Sequence, residues 1–103
     1  GNLTPDEIKD YADLLQESYE IDLIKKLADY PSEVRLAAQT LSPYRITVYS
    51  MELASVFHTF YNNCRVLTED ERLTTARLLL IKAVKQVIVN AFSILGITAP
   101  ERM

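Results

Sequence analysis

Glycine is nearly absent from this sequence, and that scarcity limits the folds open to it. Only Gly1 and Gly96 occur in 103 residues, and no Asn-Gly or Asp-Gly pair is present to close a two-residue β-hairpin. Apolar residues instead recur at intervals of three and four, the period of an amphipathic α-helix. The sequence therefore predicts an all-α fold, an antiparallel bundle of about five helices.

Capping residues and prolines divide the chain into these helices. Thr4 can cap a first helix, with Pro5 in its first turn and Glu7 completing a capping box. Apolar residues then follow at helical spacing: Ile8, Tyr11, Leu15 and Tyr19. A second helix is expected over about residues 20–29, and Pro31 either ends it or begins the next.

Two longer helices complete the predicted bundle. The Ser-Pro pair at 42–43 opens a helix that should reach about Arg65 and bury one apolar face, made of Ile46, Tyr49, Leu53, Val56, Phe57, Phe60 and Cys64. A capping box over residues 68–71 opens a last helix that runs to Leu95, with Gly96 as its left-handed C-terminal cap. Because that helix is apolar around much of its circumference, we expect the others to cover it.

The reactive side chains are too few for a catalytic or metal centre. Cys64 is the single cysteine and His58 the single histidine, which excludes an internal disulfide and falls short of a structural zinc set. Two distant glycines cannot form a phosphate-binding loop. We therefore expect that this domain alone is not an enzyme.

Lys82 and Lys85 interrupt the most apolar stretch of the sequence. We therefore expect a soluble, cytoplasmic protein without a membrane span.

Charge is distributed unevenly along the chain. The net charge is −3, which disfavours a simple nucleic-acid binder. Residues 1–35 hold nine acidic and four basic residues, a balance of −5, so the remainder carries +2. No acidic residue lies between Arg72 and Pro100, where four basic residues occur. The C-terminal half could therefore still approach phosphates.

One side of the helix predicted to start at Ser42 is polar and aromatic rather than apolar. Ala54, His58, Tyr61, Asn62 and Arg65 fall within roughly a 100° arc of it. Single-stranded RNA loops are recognised by stacking on such aromatic and guanidinium planes, while amides read the exposed base edges. The pattern is compatible with an RNA-binding face and with an ordinary helix–helix contact.

Four stretches of sequence carry a family resemblance. They are FYNNCRVL at 60–67, ARL at 76–78, QVIVN at 86–90 and LGITAPERM at 95–103. Together they resemble the C-terminal, DALR-type anticodon-binding domain of arginyl-tRNA synthetases, from about residue 18 to the end. We therefore expect residues 1–4 to be a disordered or tag remnant and residues 5–103 to form the domain, with a short tail over 97–103.

The resemblance implies a helical bundle that follows a class I catalytic core and receives the anticodon stem-loop of the arginine tRNA. Tyr61 would then be the base-stacking residue, and Arg65 would reach a base or a phosphate. His58 and Asn62 would lie beside them, with Arg102 and Met103 close to the loop. The domain itself would hold no cofactor or metal. ATP and Mg²⁺ would be used by the parent enzyme, whose catalytic domain would be the other partner.

Alternatives remain at this point. Arg77 matches a family arginine but borders the apolar stripe of the last helix, so it could contact RNA or form an ion pair with Glu52 or Glu101. At the level of function, the rivals are the anticodon domain of another class I synthetase and a helical protein–protein interaction module.

Overall fold

The computed structural model describes residues 13–98, which form four α-helices and no β-strand. Helix α1 spans Ser18–Ala28, α2 spans Tyr30–Gln39, α3 spans Tyr44–Asn63 and α4 spans Glu71–Thr98. The all-α prediction is confirmed for this part of the chain. The helix predicted to begin at Thr4 lies largely outside the described residues, so the count of five stays a prediction.

The N-terminal boundary differs from the predicted one. Residues 13–17 are not helical, and α1 begins at Ser18, so a first helix continuing to Tyr19 is wrong. The reason lies in Glu20, whose side chain accepts a 2.9 Å hydrogen bond from the backbone N–H of Glu17. This bond satisfies a donor at the start of α1 and favours a new helix there.

A proline in the first turn of α2 and a left-handed residue just after its last turn define the two ends of this helix. Pro31 lies in its first turn, where its missing N–H needs no partner, so this proline begins a helix rather than ending one. At the C-terminal end, the N–H groups of Leu41 and Ser42 donate to the carbonyls of Ala38 and Ala37. This is a Schellman arrangement in which Leu41 takes the left-handed conformation, with φ of 53°.

Helix α3 ends at Asn63, two residues before the predicted boundary, because Cys64 is extended. Its apolar face is the one expected. Ile46, Tyr49, Leu53, Phe60 and Cys64 are buried, and Val56 and Phe57 pack half-buried against the main core. That core joins α3 to α1 and α4 through Leu23, Ala76, Leu80 and Val84, and Leu15, which precedes α1, also packs into it.

Both ends of α4 differ in detail from the prediction. Asp70 caps the helix in place of Thr68, since its Oδ1 accepts hydrogen bonds from the N–H groups of Arg72 and Leu73 at 2.9 and 3.4 Å. At the other end the helix continues through Gly96 to Thr98. Gly96 does not adopt a positive φ, so the predicted glycine cap is wrong.

Helix α4 is also less covered than predicted. Ala76, Leu80, Val84 and Ala91 are buried, but three apolar side chains on another face are half or more exposed, namely Leu78, Val89 and Phe92. The expectation of a helix covered on most sides is therefore wrong. Three neighbouring helices of the described region are too few to surround a 28-residue helix, and they pack against one face of it.

By length and composition alone, α4 could cross a membrane, a test that core helices of globular proteins also pass. Lys82 and Lys85 lie near its middle, where each would cost about 2.5–3.5 kcal/mol in a bilayer. One face of the helix contacts α3 through Ala76, Leu80 and Val84. We therefore interpret α4 as a helix of the bundle.

Helices α3 and α4 run antiparallel. Near the start of α4, Arg77 contacts the backbone of Arg65, just after α3 ends. Near the end of α4, Ala91 packs with Ile46 in the first turns of α3. The bundle thus has one end at the α3 C-terminus and an opposite end at the α3 N-terminus.

Candidate functional site

The last two turns of α3 present Tyr61, His58 and Asn62 to solvent. They point outward because Phe60, whose side chain is fully buried, fixes the rotation of the helix about its axis. Arg65 follows just beyond the helix and is also exposed. We call these four residues the Tyr61 face. His58, Tyr61 and Asn62 lie on the helix, whereas Arg65 lies beyond its end and so is not part of the single helical arc that the sequence predicts.

The Tyr61 ring is both accessible and supported. Its residue is 58% exposed. Beneath it, the Phe57 ring lies 5.9 Å away between centroids and is tilted by 34°. Phe57 in turn contacts Phe60 at 6.1 Å, which connects the exposed ring to the core. Tyr61 therefore offers a free aromatic surface on a rigid base, the property that stacking with an unpaired nucleobase requires.

A recess of about 440 Å³ adjoins Tyr61 where α3 ends. It is lined by six consecutive residues: Tyr61, Asn62, Asn63, Cys64, Arg65 and Val66. The Asn63 amide is held by donating a 2.7 Å hydrogen bond to the carbonyl of Thr59. The recess, which we call the α3-end recess, combines an aromatic plane with amide and guanidinium groups.

A buried ion pair lies behind this recess. The Nε of Arg77 is 2.5 Å from Oε2 of Glu20, and both residues are buried. The Nη1 of Arg77 donates to the carbonyl of Arg65, also at 2.5 Å. The ion-pair interpretation of Arg77 is thus correct, but its partner is Glu20. Glu52 pairs with Lys26 instead, at 2.5 Å, and Glu101 lies outside the described residues.

Glu20 was not predicted as the partner of Arg77, although its position in the sequence indicates a buried carboxylate. Glu20 shares one helix face with Leu23, Ile24 and Leu27, which places an acid among inward-facing residues. Arg77 borders a second apolar face. Opposite charges on two buried faces are expected to meet, because an unpaired buried charge is strongly unfavourable.

Cys64 is a core residue next to this pair. Its side chain is buried, and burial raises the pKa of the thiol above its usual value, an effect that Arg77 partly opposes. A neutral, enclosed thiol is a poor nucleophile. His58 faces solvent on a different side of α3. Within residues 13–98, no cluster of three or more His, Cys, Asp or Glu side chains could hold a metal ion.

Two of the predicted site residues, Arg102 and Met103, lie outside the described residues. Helix α4 leads away from the Tyr61 face, since its 21 residues after Arg77 rise about 32 Å to Thr98. Thr98 therefore lies at the opposite end of the bundle from the Tyr61 face.

Basic side chains continue along α4. Lys82 and Lys85 are exposed on its surface, and no acidic residue occurs between 72 and 100. Acidic residues are concentrated in the N-terminal third of the chain. From Arg72 onward, the exposed side of α4 therefore repels polyanions less than the acidic N-terminal third does, although Glu69, Asp70 and Glu71 lie exposed at its start.

Comparison with known proteins gives consistent matches. The model of the DALR anticodon binding domain matches residues 1–103. The arginine–tRNA ligase of Caldanaerobacter subterraneus subsp. tengcongensis is 57% identical over 90 residues, which are 87% of this chain and 16% of the relative. The arginine–tRNA ligase of Ruminiclostridium cellulolyticum is 51% identical over 92 residues, or 89% of the chain and 16% of the relative.

A third arginine–tRNA ligase, from Desulforamulus reducens, is 49% identical over 90 residues, again 87% of the chain and 16% of the relative. No solved structure matches the chain. The chain thus spans about one sixth of the length of these relatives.

Proposed function

The chain belongs to the DALR anticodon binding domain family, and from this premise we propose that the Tyr61 face receives the anticodon loop of the arginine tRNA. Its relatives are arginine–tRNA ligases about six times its length. We therefore assign the ATP- and Mg²⁺-dependent arginylation to the rest of a longer, cytoplasmic parent protein. The role of this domain is to bind and position the tRNA, with no catalytic residue of its own.

The observation that carries the proposal is the exposed Tyr61 ring supported by Phe57. An unpaired base can lie on that ring, and its edge then faces the α3-end recess, where Asn62 offers an amide. Stacking on one aromatic side chain contributes about 1–3 kcal/mol per base. A few such contacts can supply the affinity that a domain of net charge −3 cannot obtain from phosphates.

The remaining contacts follow from this placement. Arg65, beside Tyr61, is positioned to contact a base edge or a phosphate of the loop. Lys82 and Lys85 would meet phosphates farther along α4. The resemblance adds Arg102 and Met103 to the proposed contact, and both lie outside the described residues.

The protein-interaction alternative has one observation in its favour. Leu78, Val89 and Phe92 are exposed on α4, and exposed apolar side chains are common at protein contacts. Lys82 and Lys85 lie between them on the same face, at helical spacings of three and four, so this face presents both apolar and basic groups. The catalytic part of the parent is the second partner that we propose. The anticodon domain of another class I synthetase is disfavoured, because the matching relatives are arginine–tRNA ligases.

Replacing Tyr61 tests the proposal. In the full-length ligase, Tyr61→Ala should weaken binding of an arginine tRNA transcript by about 5- to 150-fold, the equivalent of roughly 1–3 kcal/mol. Tyr61→Phe keeps the stacking plane and should stay within about twofold of wild type. Filter binding measures both variants.

Unchanged affinity for Tyr61→Ala removes Tyr61 from the site. A second arm separates RNA binding from protein binding. The wild-type enzyme is titrated with stem-loops that carry arginine and non-arginine anticodons. Indifference to every RNA would support the protein-interaction module instead.

A further inference from the structure

The Arg77–Glu20 pair is unusual for its position. Both side chains are buried, and they come from α4 and α1, 57 residues apart in sequence. Removing two charges from water is unfavourable, and a well-packed apolar pair often serves stability equally well. The neighbouring core consists of apolar side chains that would accommodate such a pair. A contribution to stability alone therefore does not explain why a charged pair occupies this buried position.

The hydrogen bonds of Arg77 suggest what it does. Its Nε is used by Glu20, while its Nη1 donates to the carbonyl of Arg65. That carbonyl lies in the segment between α3 and α4, beyond the backbone hydrogen bonds of either helix. The second oxygen of Glu20 accepts from the backbone N–H of Glu17. One guanidinium thus ties the start of α1 to the wall of the α3-end recess.

We propose that Arg77 is a positioning residue for RNA recognition. Oriented by Glu20, it fixes the Arg65 backbone, and this sets the direction of the Arg65 side chain beside Tyr61. The inference rests on the proposed function of the Tyr61 face. Arg77 itself is buried, so its proposed role is exercised through Arg65.

The geometry makes a lysine a poor substitute. The Arg77 guanidinium is planar, and two of its nitrogens point at two acceptors on different parts of the chain. Lysine keeps the positive charge but presents its donors from a single, shorter-reaching nitrogen. Arg77→Lys therefore retains the charge opposite Glu20 and loses the tie to the Arg65 carbonyl.

The test uses the full-length ligase and an arginine tRNA transcript. Arg77→Lys should raise the KM for tRNA about tenfold while kcat stays within about twofold, because the reaction takes place elsewhere in the parent. Glu52→Gln is the matched control. It removes the Lys26–Glu52 ion pair between α1 and α3 without touching the recess, and it should leave the KM unchanged.

A double-mutant cycle separates positioning from general stability. In an Arg65→Ala background the Arg77→Lys effect on tRNA affinity should shrink to about twofold or less. An equal effect in both backgrounds, no effect of Arg77→Lys in wild type, or no effect of Arg65→Ala would each overturn the inference. If Arg77→Lys does not fold, Glu20→Gln is used in the same cycle with the same expected outcomes. The Tyr61→Ala variant tests the proposed function separately, so a failure of the proposed function can be distinguished from a failure of this inference.

Discussion

At the end of the bundle where α3 stops, a buried polar network holds the chain, whereas the core of the opposite end is apolar and its ion pair, Arg45 with Glu33 at 3.1 Å, is partly exposed. The first end has a buried guanidinium with a carboxylate and a carbonyl as its partners. The second has a core of Ala37, Ile46 and Ala91 beside an apolar groove of about 460 Å³, lined by Val34, Ala37, Ala38, Leu41, Pro43, Ile46 and Ile94. The two ends share the same pair of antiparallel helices.

The two ends show how one small domain combines tolerance of substitution with precise positioning of atoms. Apolar contacts are non-directional, so the groove end can adjust to changes that conserve volume. Hydrogen bonds to a planar guanidinium are directional, so the recess end holds specific atoms in place. That precision is found next to the Tyr61 face, where the proposed RNA contact needs it.

Breaking the polar end should give the largest change in stability. Arg77→Met leaves Glu20 buried without its partner, and we expect a loss of about 3–5 kcal/mol in the free energy of unfolding. The double variant Glu20→Leu with Arg77→Met removes both charges and should recover most of that loss. Urea denaturation measures both variants. A double variant as unstable as the single one would contradict the assignment of the loss to an unpaired charge.

A cavity at the apolar end should be the next largest effect. Ile46 is 1% exposed, and Ile46→Ala should lower the free energy of unfolding by about 2–5 kcal/mol, toward the lower limit because the groove can collapse. At a temperature where the variant is folded, tRNA affinity of the full-length protein should not change. A weakened affinity in the folded variant would show that the two ends are coupled.

Between the two ends, Tyr49 should make stability depend on pH. Its hydroxyl donates a 2.6 Å hydrogen bond to the carbonyl of Lys26. Burial, reinforced by the charges of Asp29, Tyr30 and Glu33, raises the pKa of Tyr49 to about 12. The unfolded chain releases this proton from about pH 10, so the folded state loses stability as pH rises from 10 to 12.

The expected loss for Tyr49 is at most roughly 2.7 kcal/mol, since each pKa unit corresponds to about 1.36 kcal/mol. Denaturation at pH 9 and pH 11.5 measures it. Tyr49→Phe is the control, which has no phenol to titrate and should show a smaller fall over the same range. Equal falls in the two proteins would assign the effect to other groups.

The smallest expected effect is a gain in stability at the apolar end. Leu41 is left-handed at the end of α2, and its side chain is 88% exposed. Leu41→Gly relieves a conformation that disfavours side chains and should stabilise the fold by about 0.5–1 kcal/mol. Arg35→Gly, in the interior of the same helix, should instead destabilise it by about 1 kcal/mol. Thermal unfolding distinguishes the two signs.

Local features of the chain could be predicted from its sequence because they depend on residues that are close together in the chain. The helical period and the lack of glycine predict the fold class, and Pro31, Pro43 and the acidic turn before α4 mark three helix starts to within a few residues. The apolar stripe of α3 was predicted residue by residue. The same rotation of the helix places His58, Tyr61 and Asn62 outside, so this part of the Tyr61 face follows from the position of Phe60, whereas the place of Arg65 depends on the segment after the helix.

Features that depend on contacts between distant segments could not be predicted from the sequence. The ion pair of Arg77 with Glu20 joins residues 57 apart, and several acids could have been its partner until the helices were arranged. The prediction of a C-terminal cap at Gly96 was wrong because glycine can adopt either a helical or a left-handed backbone conformation, and α4 continues through it. The exposure of Leu78, Val89 and Phe92 depends on how many helices surround α4, which periodicity does not reveal.

By itself, the sequence determined that this protein is helical, where most of its helices begin, and which side of α3 carries an aromatic and polar surface. These properties arise from backbone propensities and from a rotation of about 100° per residue, both of which act within a few residues. The packing of the helices was needed to establish which charges meet, which carbonyl accepts from Arg77, and that the end of α4 lies far from Tyr61. Those outcomes depend on the packing of whole helices, because burial and electrostatic pairing are set by neighbours in space.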